Sequence, residues 1–268
     1  MTPLVRHQNI YFKREDQNPT GSAKDRAISV QVDNLIASGY TSAVISSTGN
    51  AAISADYYCH LNHIPLTVFV SPKVNPHKLL LVTHSKVVTT DQPISSAFKE
   101  SKLGHCYLLR QSTDPTAQVG YAKIAQEIID ELPEISSIFI PVGSGTTLFG
   151  ISQKLPENVK IFAVQPASHC PISSLFDKQY TVENDSITDS LSAKLLPLKQ
   201  QVIAAITQSG GSGIVVQNSD VIANLAILKD SDISTSAEGA LALSGYQKAK
   251  ATHDIGACPV ILLTGTFR

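Results

Sequence analysis

The sequence predicts an α/β protein built on mostly parallel sheets covered by helices. Three observations carry this. Short aliphatic runs alternate with stretches of helical apolar spacing along most of the 268 residues. Two of the runs lead straight into loops of small residues, the place where ligands bind in such sheets. With 43% hydrophobic and 16% charged residues, the chain also has ample apolar material for one compact unit or two small lobes.

Taken in order, the predicted strands are residues 10–13, 43–45, 66–70, 86–89, 107–109, 138–140, 160–164 and 260–263, each a short aliphatic or β-branched run. A helix begins near Ala23, because Pro19 and Gly21 read as a turn and Thr20 or Ser22 as its cap. Further helical spacing runs over residues 51–60, 119–131 and 237–250. Residues 184–197 and the turn Gly210-Gly211-Ser212-Gly213 read as loops. The chain shows neither an internal repeat nor a low-complexity tract.

Composition excludes several function classes. A net charge of -1 gives no electrostatic argument for nucleic acid or membrane, although a cationic pocket fits inside a neutral balance. No apolar stretch reaches transmembrane length, and the N-terminus carries no apolar signal segment. Cys59, Cys106, Cys170 and Cys258 are widely spaced without a Cys-x-x-Cys pair, so they read as thiols of a cytoplasmic protein. The eight histidines show no ligand spacing beside an acidic residue. His60 and His63 share a helix face, but no metal site is expected there.

Three segments carry candidate chemistry. In Asn18-Pro19-Thr20-Gly21-Ser22-Ala23-Lys24-Asp25-Arg26 a lysine follows a turn at the start of a helix. The positive end of a helix dipole disfavours an ammonium, and imine chemistry with an aldehyde needs an unprotonated amine. Alone, the segment equally describes a surface lysine in a first helical turn. The loops Ser46-Ser47-Thr48-Gly49-Asn50-Ala51-Ala52 and Pro141-Val142-Gly143-Ser144-Gly145-Thr146-Thr147 each join a strand to a helix. Such loops expose several N–H groups at a helix N-terminus and form anion sites, although each is also an ordinary connection when taken singly.

With these matches in one fixed order, joined by Lys13-Arg14-Glu15, Ala237-Glu238-Gly239-Ala240 and Leu263-Thr264-Gly265, the chain resembles the pyridoxal-phosphate enzymes of the tryptophan synthase β-subunit family (fold type II), and within them threonine synthase. The resemblance runs from Thr2-Pro3-Leu4 to Thr264-Gly265. It implies two three-layer lobes with the cofactor, pyridoxal 5'-phosphate, in the cleft between them. The larger lobe would be residues 1–31 and 114–268, the smaller 32–113. It implies that Lys24 is the catalytic lysine, bound to the cofactor aldehyde. Gly143, Ser144, Gly145, Thr146 and Thr147 would cradle the cofactor phosphate, and Asn50 would bond the ring hydroxyl. Thr264 would face the pyridine nitrogen with a neutral hydroxyl, which suits elimination and replacement more than transamination. Ser47, Thr48, Gly49, Asn50 and Ala51 would hold the substrate carboxylate. Glu238 has two readings, a residue near the site or a partner of the helix dipole.

The expected activity is that of a lyase, threonine synthase-like, converting O-phosphohomoserine to threonine and phosphate. A serine/threonine dehydratase or a Cβ-replacement enzyme is the alternative, and a non-catalytic binding or regulatory protein the alternative of another class. The expected partners are a small amino-acid substrate and a second copy in a homodimer. Three departures stand out. The resemblance implies more chain at both ends, so the expectation is a minimal enzyme or cover supplied from elsewhere. Ala23 stands where a phenylalanine is usual. Ala117, in Asp114-Pro115-Thr116-Ala117, stands where an arginine would grip the substrate phosphate; Lys73, Lys78 and Arg110 are the candidate substitutes.

Overall fold

Alternating strands and helices assemble into two units in the structure, a computed structural model that describes all residues except Thr48, 73–78, 189, 190, 192 and 194. One unit comprises Met1–Ala23 and Tyr121–Arg268, the other Lys24–Gly120.

The first unit holds a six-stranded sheet in the order β1-β2-β10-β7-β8-β9. Its strands are β1 (Leu4–His7), β2 (Ile10–Arg14), β7 (Ser137–Pro141), β8 (Lys160–Pro166), β9 (Ser212–Val216) and β10 (Pro259–Leu263). Only β1 runs antiparallel to its neighbour. Strands β7, β9 and β10 are buried at every position, as a parallel sheet covered on both faces requires. Phe139 and Phe162 stack across neighbouring strands with centroids 4.6 Å apart, and Tyr246 meets Phe139 edge-on at 5.5 Å.

One strand residue breaks the apolar pattern. The Lys13 side chain is 0% exposed, and its ammonium donates to the Thr2 carbonyl and to Glu127 Oε2, each at 2.7 Å. Glu15, also buried, accepts from the Thr2 hydroxyl at 2.5 Å and from Asn18 Nδ2 at 2.7 Å. A buried charge persists only when paired and bonded in this way. The Lys13-Arg14-Glu15 motif thus works as a polar staple that fixes the turn ahead of Lys24.

Lys248, in α8 (Ala237–Ala249), makes a second staple. Its ammonium donates to Asp177 Oδ2 at 2.7 Å and to the carbonyls of Gln179 and Val215 at 2.8 and 2.9 Å. Burial alone would raise the Asp177 carboxyl; bonds from Lys248 and from the Val215 and Gln179 N–H groups outweigh it and hold it below its usual range. A carboxyl depressed in the folded state stabilises above its ordinary 3.8, and that stability is lost as pH falls through the folded value. Urea unfolding at pH 5 and pH 3 should therefore show a smaller acid-induced loss in Lys248→Met than in the native chain. An equal loss in both would mean that the pair carries no pH dependence.

The second unit holds a four-stranded, all-parallel sheet in the order β5-β4-β3-β6. Its strands are β3 (Ala43–Ser46), β4 (Leu66–Val70), β5 (Lys86–Thr89) and β6 (Tyr107–Leu108). Helices α1 (Lys24–Ala37) and α2 (Asn50–Leu61) share a core with it through Ile28, Val32, Leu35, Ala52, Ala55 and Cys59. Burial, with the Asp56 carboxylate, pushes the Cys59 thiol up to about 12, so this cysteine behaves as a packing residue.

Helix α4 (Pro115–Glu131) follows α3 (Pro93–Leu103) and β6. Asp114 caps it by accepting from the Thr116 N–H at 2.9 Å and hydroxyl at 2.6 Å. Its other oxygen takes Gln31 Nε2 at 2.6 Å and the Tyr107 hydroxyl at 2.7 Å. Burial and this last bond raise the Tyr107 phenol. Asp114 thereby ties α1, β6 and α4 together.

Candidate active site

In the first unit, β2, β10, β7, β8 and β9 are mutually parallel, so the segments leaving them emerge at one edge of the sheet. The predicted phosphate cradle leaves β7 and the predicted ring-facing threonine leaves the neighbouring β10. The fold therefore brings Gly143, Ser144, Gly145, Thr146, Thr147 and Thr264 to the same carboxyl edge, where ligands sit in open α/β sheets.

The cradle's shape follows from its residues. Gly145 has φ +87°, and a Cβ there would lie 2.7 Å from Val202 Cγ2 on α6 (Lys199–Gln208). Only glycine meets both demands. From Gly145 the chain turns into α5 (Thr146–Ser152). Ser144 Oγ and Thr146 Oγ1 lie 3.0 Å apart, and Thr146 is buried while Ser144 and Thr147 are half-buried. Hydroxyls and backbone N–H groups are the neutral donors that a loop of this shape offers.

Around Thr264, backbone bonds lock three segments together. The Ala23 N–H donates to the Thr264 carbonyl at 2.9 Å, and Ser22 bridges Gly265. The Thr266 N–H donates to the Gly21 carbonyl at 2.9 Å, and Arg268 donates to the Thr20 carbonyl. Ala23, where a larger residue was expected, is itself 4% exposed. From this anchored turn the chain passes directly into Lys24.

In the second unit, Lys24 is half-buried as the first residue of α1. The other predicted loop leaves β3, a central strand of its sheet. Ser47 Oγ accepts the Gly49 N–H at 3.3 Å, and Gly49 is the N-cap of α2. Asn50, half-buried, and Ala51, 8% exposed, follow in the first turn. Thr48 lies outside the described residues.

Other candidates resolve differently. Glu238 is buried in the first turn of α8. Ala117 is 0% exposed in the first turn of α4. Gly120, one turn further, would place a Cβ 2.0 Å from the Arg26 carbonyl oxygen of α1. This face of α4 is committed to helix packing. Lys73 and Lys78 lie outside the described residues, while Arg110 is half-buried. His60 stacks on His84 at 3.7 Å, and among the described residues no three His, Cys, Asp or Glu side chains are placed to share a metal ion. Nor is any described helix long and apolar enough to cross a membrane.

Sequence reasoning missed two serines at the carboxyl edge. Ser168, two residues past β8, and Ser236, just before α8, each have an Oγ that is buried without a partner. The Ser236 N–H donates to the Gly265 carbonyl at 2.8 Å. The available signal was a serine at a helix N-cap ahead of Ala237-Glu238-Gly239-Ala240.

These residues fit a phosphorylated pyridoxal aldehyde. The glycine-shaped loop with its paired hydroxyls suits the phosphate, and Thr264 leaves the neighbouring strand at the same edge.

Comparison with known proteins leads to the same group. The L-threonine ammonia-lyase of Geobacter sulfurreducens is 24% identical over 278 residues, covering 96% of this chain and 66% of that protein. The threonine synthase of Methanosarcina acetivorans is 27% identical over 244 residues, covering 81% and 59%. The chain thus spans two-thirds or less of the length of the curated relatives it matches. The structure of maize serine racemase superposes with a TM-score of 0.86 at 17% identity over 99% of this chain and 88% of that one, a likeness of fold. The family model "Pyridoxal-phosphate dependent enzyme" matches residues 1–265. The chain therefore belongs to the pyridoxal-phosphate dependent enzyme family, in its fold type II architecture, and its cofactor is pyridoxal 5'-phosphate.

Proposed function

We propose that this protein is a lyase acting on a small β-hydroxy amino acid, threonine or serine, releasing a 2-oxo acid and ammonia. When bound, the cofactor supplies an aldehyde that condenses with amines and a ring that takes up electron density from Cα. The protein's own groups do the rest. Lys24 removes the Cα proton and returns protons as the hydroxyl leaves. Gly143, Ser144, Gly145, Thr146 and Thr147 grip the cofactor phosphate. Asn50 positions the ring through its hydroxyl, and Thr264 meets the ring nitrogen with a neutral hydroxyl. Ser47, Thr48, Gly49, Asn50 and Ala51 hold the substrate carboxylate at the start of α2. A homodimer is the expected assembly.

The observation that carries this reading is the buried Ala117. A substrate dianion calls for a guanidinium at that place, and losing a bidentate partner there costs about 1.5–3 kcal/mol or more. The Ala117 and Gly120 positions serve packing instead, which favours a substrate without a phosphate. Threonine synthase stays as the second reading, favoured by the Ser47-Thr48-Gly49-Asn50-Ala51-Ala52 motif and by the similarity to the Methanosarcina protein. A paired assay separates them. Loaded protein should release 2-oxo acid from threonine or serine, with no phosphate from O-phosphohomoserine. Phosphate release with threonine formation would reverse the order of the two readings.

A further inference from the structure

The turn that delivers Lys24 is held from both sides. Upstream, the Gly21 N–H donates to the Asn18 carbonyl at 2.7 Å, and Asn18 Nδ2 is itself fixed on the buried Glu15 carboxylate. Downstream, the segment leaving β10 doubles back along the turn. Ser22 and Gly265 form an antiparallel bridge. It is flanked by the Ala23 N–H on the Thr264 carbonyl and the Thr266 N–H on the Gly21 carbonyl, each at 2.9 Å. Further out the pairing is continued by a side chain: Arg268 Nη2 donates to the carbonyl of the buried Thr20. Gly21 shows what this closeness demands. It sits at φ +75°, and a Cβ there would lie 2.8 Å from Thr266 Cγ2 and 3.0 Å from Arg268 Nη2. Glycine therefore serves the pairing as well as the turn. Ala23, the last link before Lys24, is the residue bonded to the Thr264 peptide.

We infer that Arg268 is a positioning residue for Lys24. Its guanidinium closes the clamp begun by Thr264 and Thr266, fixing the backbone of residues 20–23 and with it the base of the lysine side chain. A flexible lysine stem brings its amine to one point reproducibly only when that base is fixed, and a misplaced amine reacts slowly even where binding is intact. Arg268 is an exposed residue, so its contribution is the placement of the turn and not the packing of a core. The inference rests on the reading of Lys24 as the amine that joins the cofactor, and adds to it a residue beyond the Thr-Gly motif.

The test compares Arg268→Ala and Arg268→Lys with the native chain. Pyridoxal 5'-phosphate is added to each, and the rate at which it becomes fixable by borohydride on the Lys24 peptide is followed by mass. Turnover with threonine and the midpoint of urea unfolding are measured on the same preparations. Arg268→Ala should join the cofactor about 10-fold more slowly and lose kcat by a similar factor. Its KM should stay within about twofold of native, because the carboxylate loop is untouched, and its urea midpoint should stay close to native, as for a surface substitution. Arg268→Lys keeps a donor for the Thr20 carbonyl and should recover most of both rates. Fixation needs no substrate, so its outcome stands apart from the choice between threonine and O-phosphohomoserine. Native-like fixation and kcat in Arg268→Ala would overturn the inference while leaving the reading of Lys24 intact. So would losses that follow a fall in stability and are not rescued by lysine, because they would make Arg268 a structural contact only. A native chain that is not fixed through Lys24 would overturn both.

Discussion

Replacing Lys24 with alanine is expected to lower turnover by about 10³-fold or more, the largest effect of any single substitution in this chain. In the proposed mechanism the residue is both the amine that joins the cofactor and the base at Cα, so the two losses coincide. Borohydride treatment of the loaded native protein should fix one cofactor per chain, seen as a mass increase on the peptide containing Lys24. In Lys24→Ala that increase should vanish. The phosphate cradle is untouched in this variant, so cofactor should still bind reversibly, more weakly. Folding should change little, because Lys24 is half-buried at the first position of α1 and alanine is a good helix former. Lys24→Arg should fail equally, which separates the amine's chemistry from its charge. A variant that retains a tenth of native turnover, or is still fixed through another lysine, would remove Lys24 from the mechanism.

Gly120→Ala should destabilise the protein by about 3 kcal/mol, by forcing two helices apart. Two effects oppose each other. Alanine is favoured over glycine in a helix by about 1 kcal/mol. Against that, the added Cβ would lie 2.0 Å from the Arg26 carbonyl oxygen, 2.6 Å from its carbon and 2.9 Å from Ala27 Cα. All three are backbone atoms, so no side chain can rotate aside. Separation of α1 and α4 would loosen the packing of Ala27, Ile28 and Ala117, each 0% exposed. Arg26 lies two residues beyond Lys24, so cofactor affinity should fall along with stability. Urea unfolding should show a lower midpoint with an unchanged slope. A stabilised Gly120→Ala protein would mean that the helices do not approach this closely.

The parallel sheets were legible because strands such as β7 and β10 are buried on both faces and therefore read as nearly unbroken apolar runs. Strand β1, flanking β2, was not foreseen. Half-exposed at an edge, Leu4–His7 lacks the apolar signature. Strand β9 was missed for another reason: its start, Ser212-Gly213, belongs to a turn-like glycine cluster, and only the sheet partner Phe162–Pro166 draws it into the ladder. The loop over residues 143–147 was visible because a left-handed turn, here Gly145 at φ +87°, restricts residue type locally.

Local chemistry, then, was written in the chain itself. A turn, a lysine and two small-residue loops after strands name their own backbone geometry, because each depends only on neighbours a few residues away. Tertiary structure decided which side chains lost their water. Lys13 became a buried staple only once Glu127, 114 residues away in sequence, closed on it. Ala117 turned from a missing arginine into a packing contact when Gly120 met the backbone of α1. The Ser236 hydroxyl lost its water where its segment bonds to the Gly265 backbone. Desolvation is a property of the assembled fold, and no window of sequence contains it.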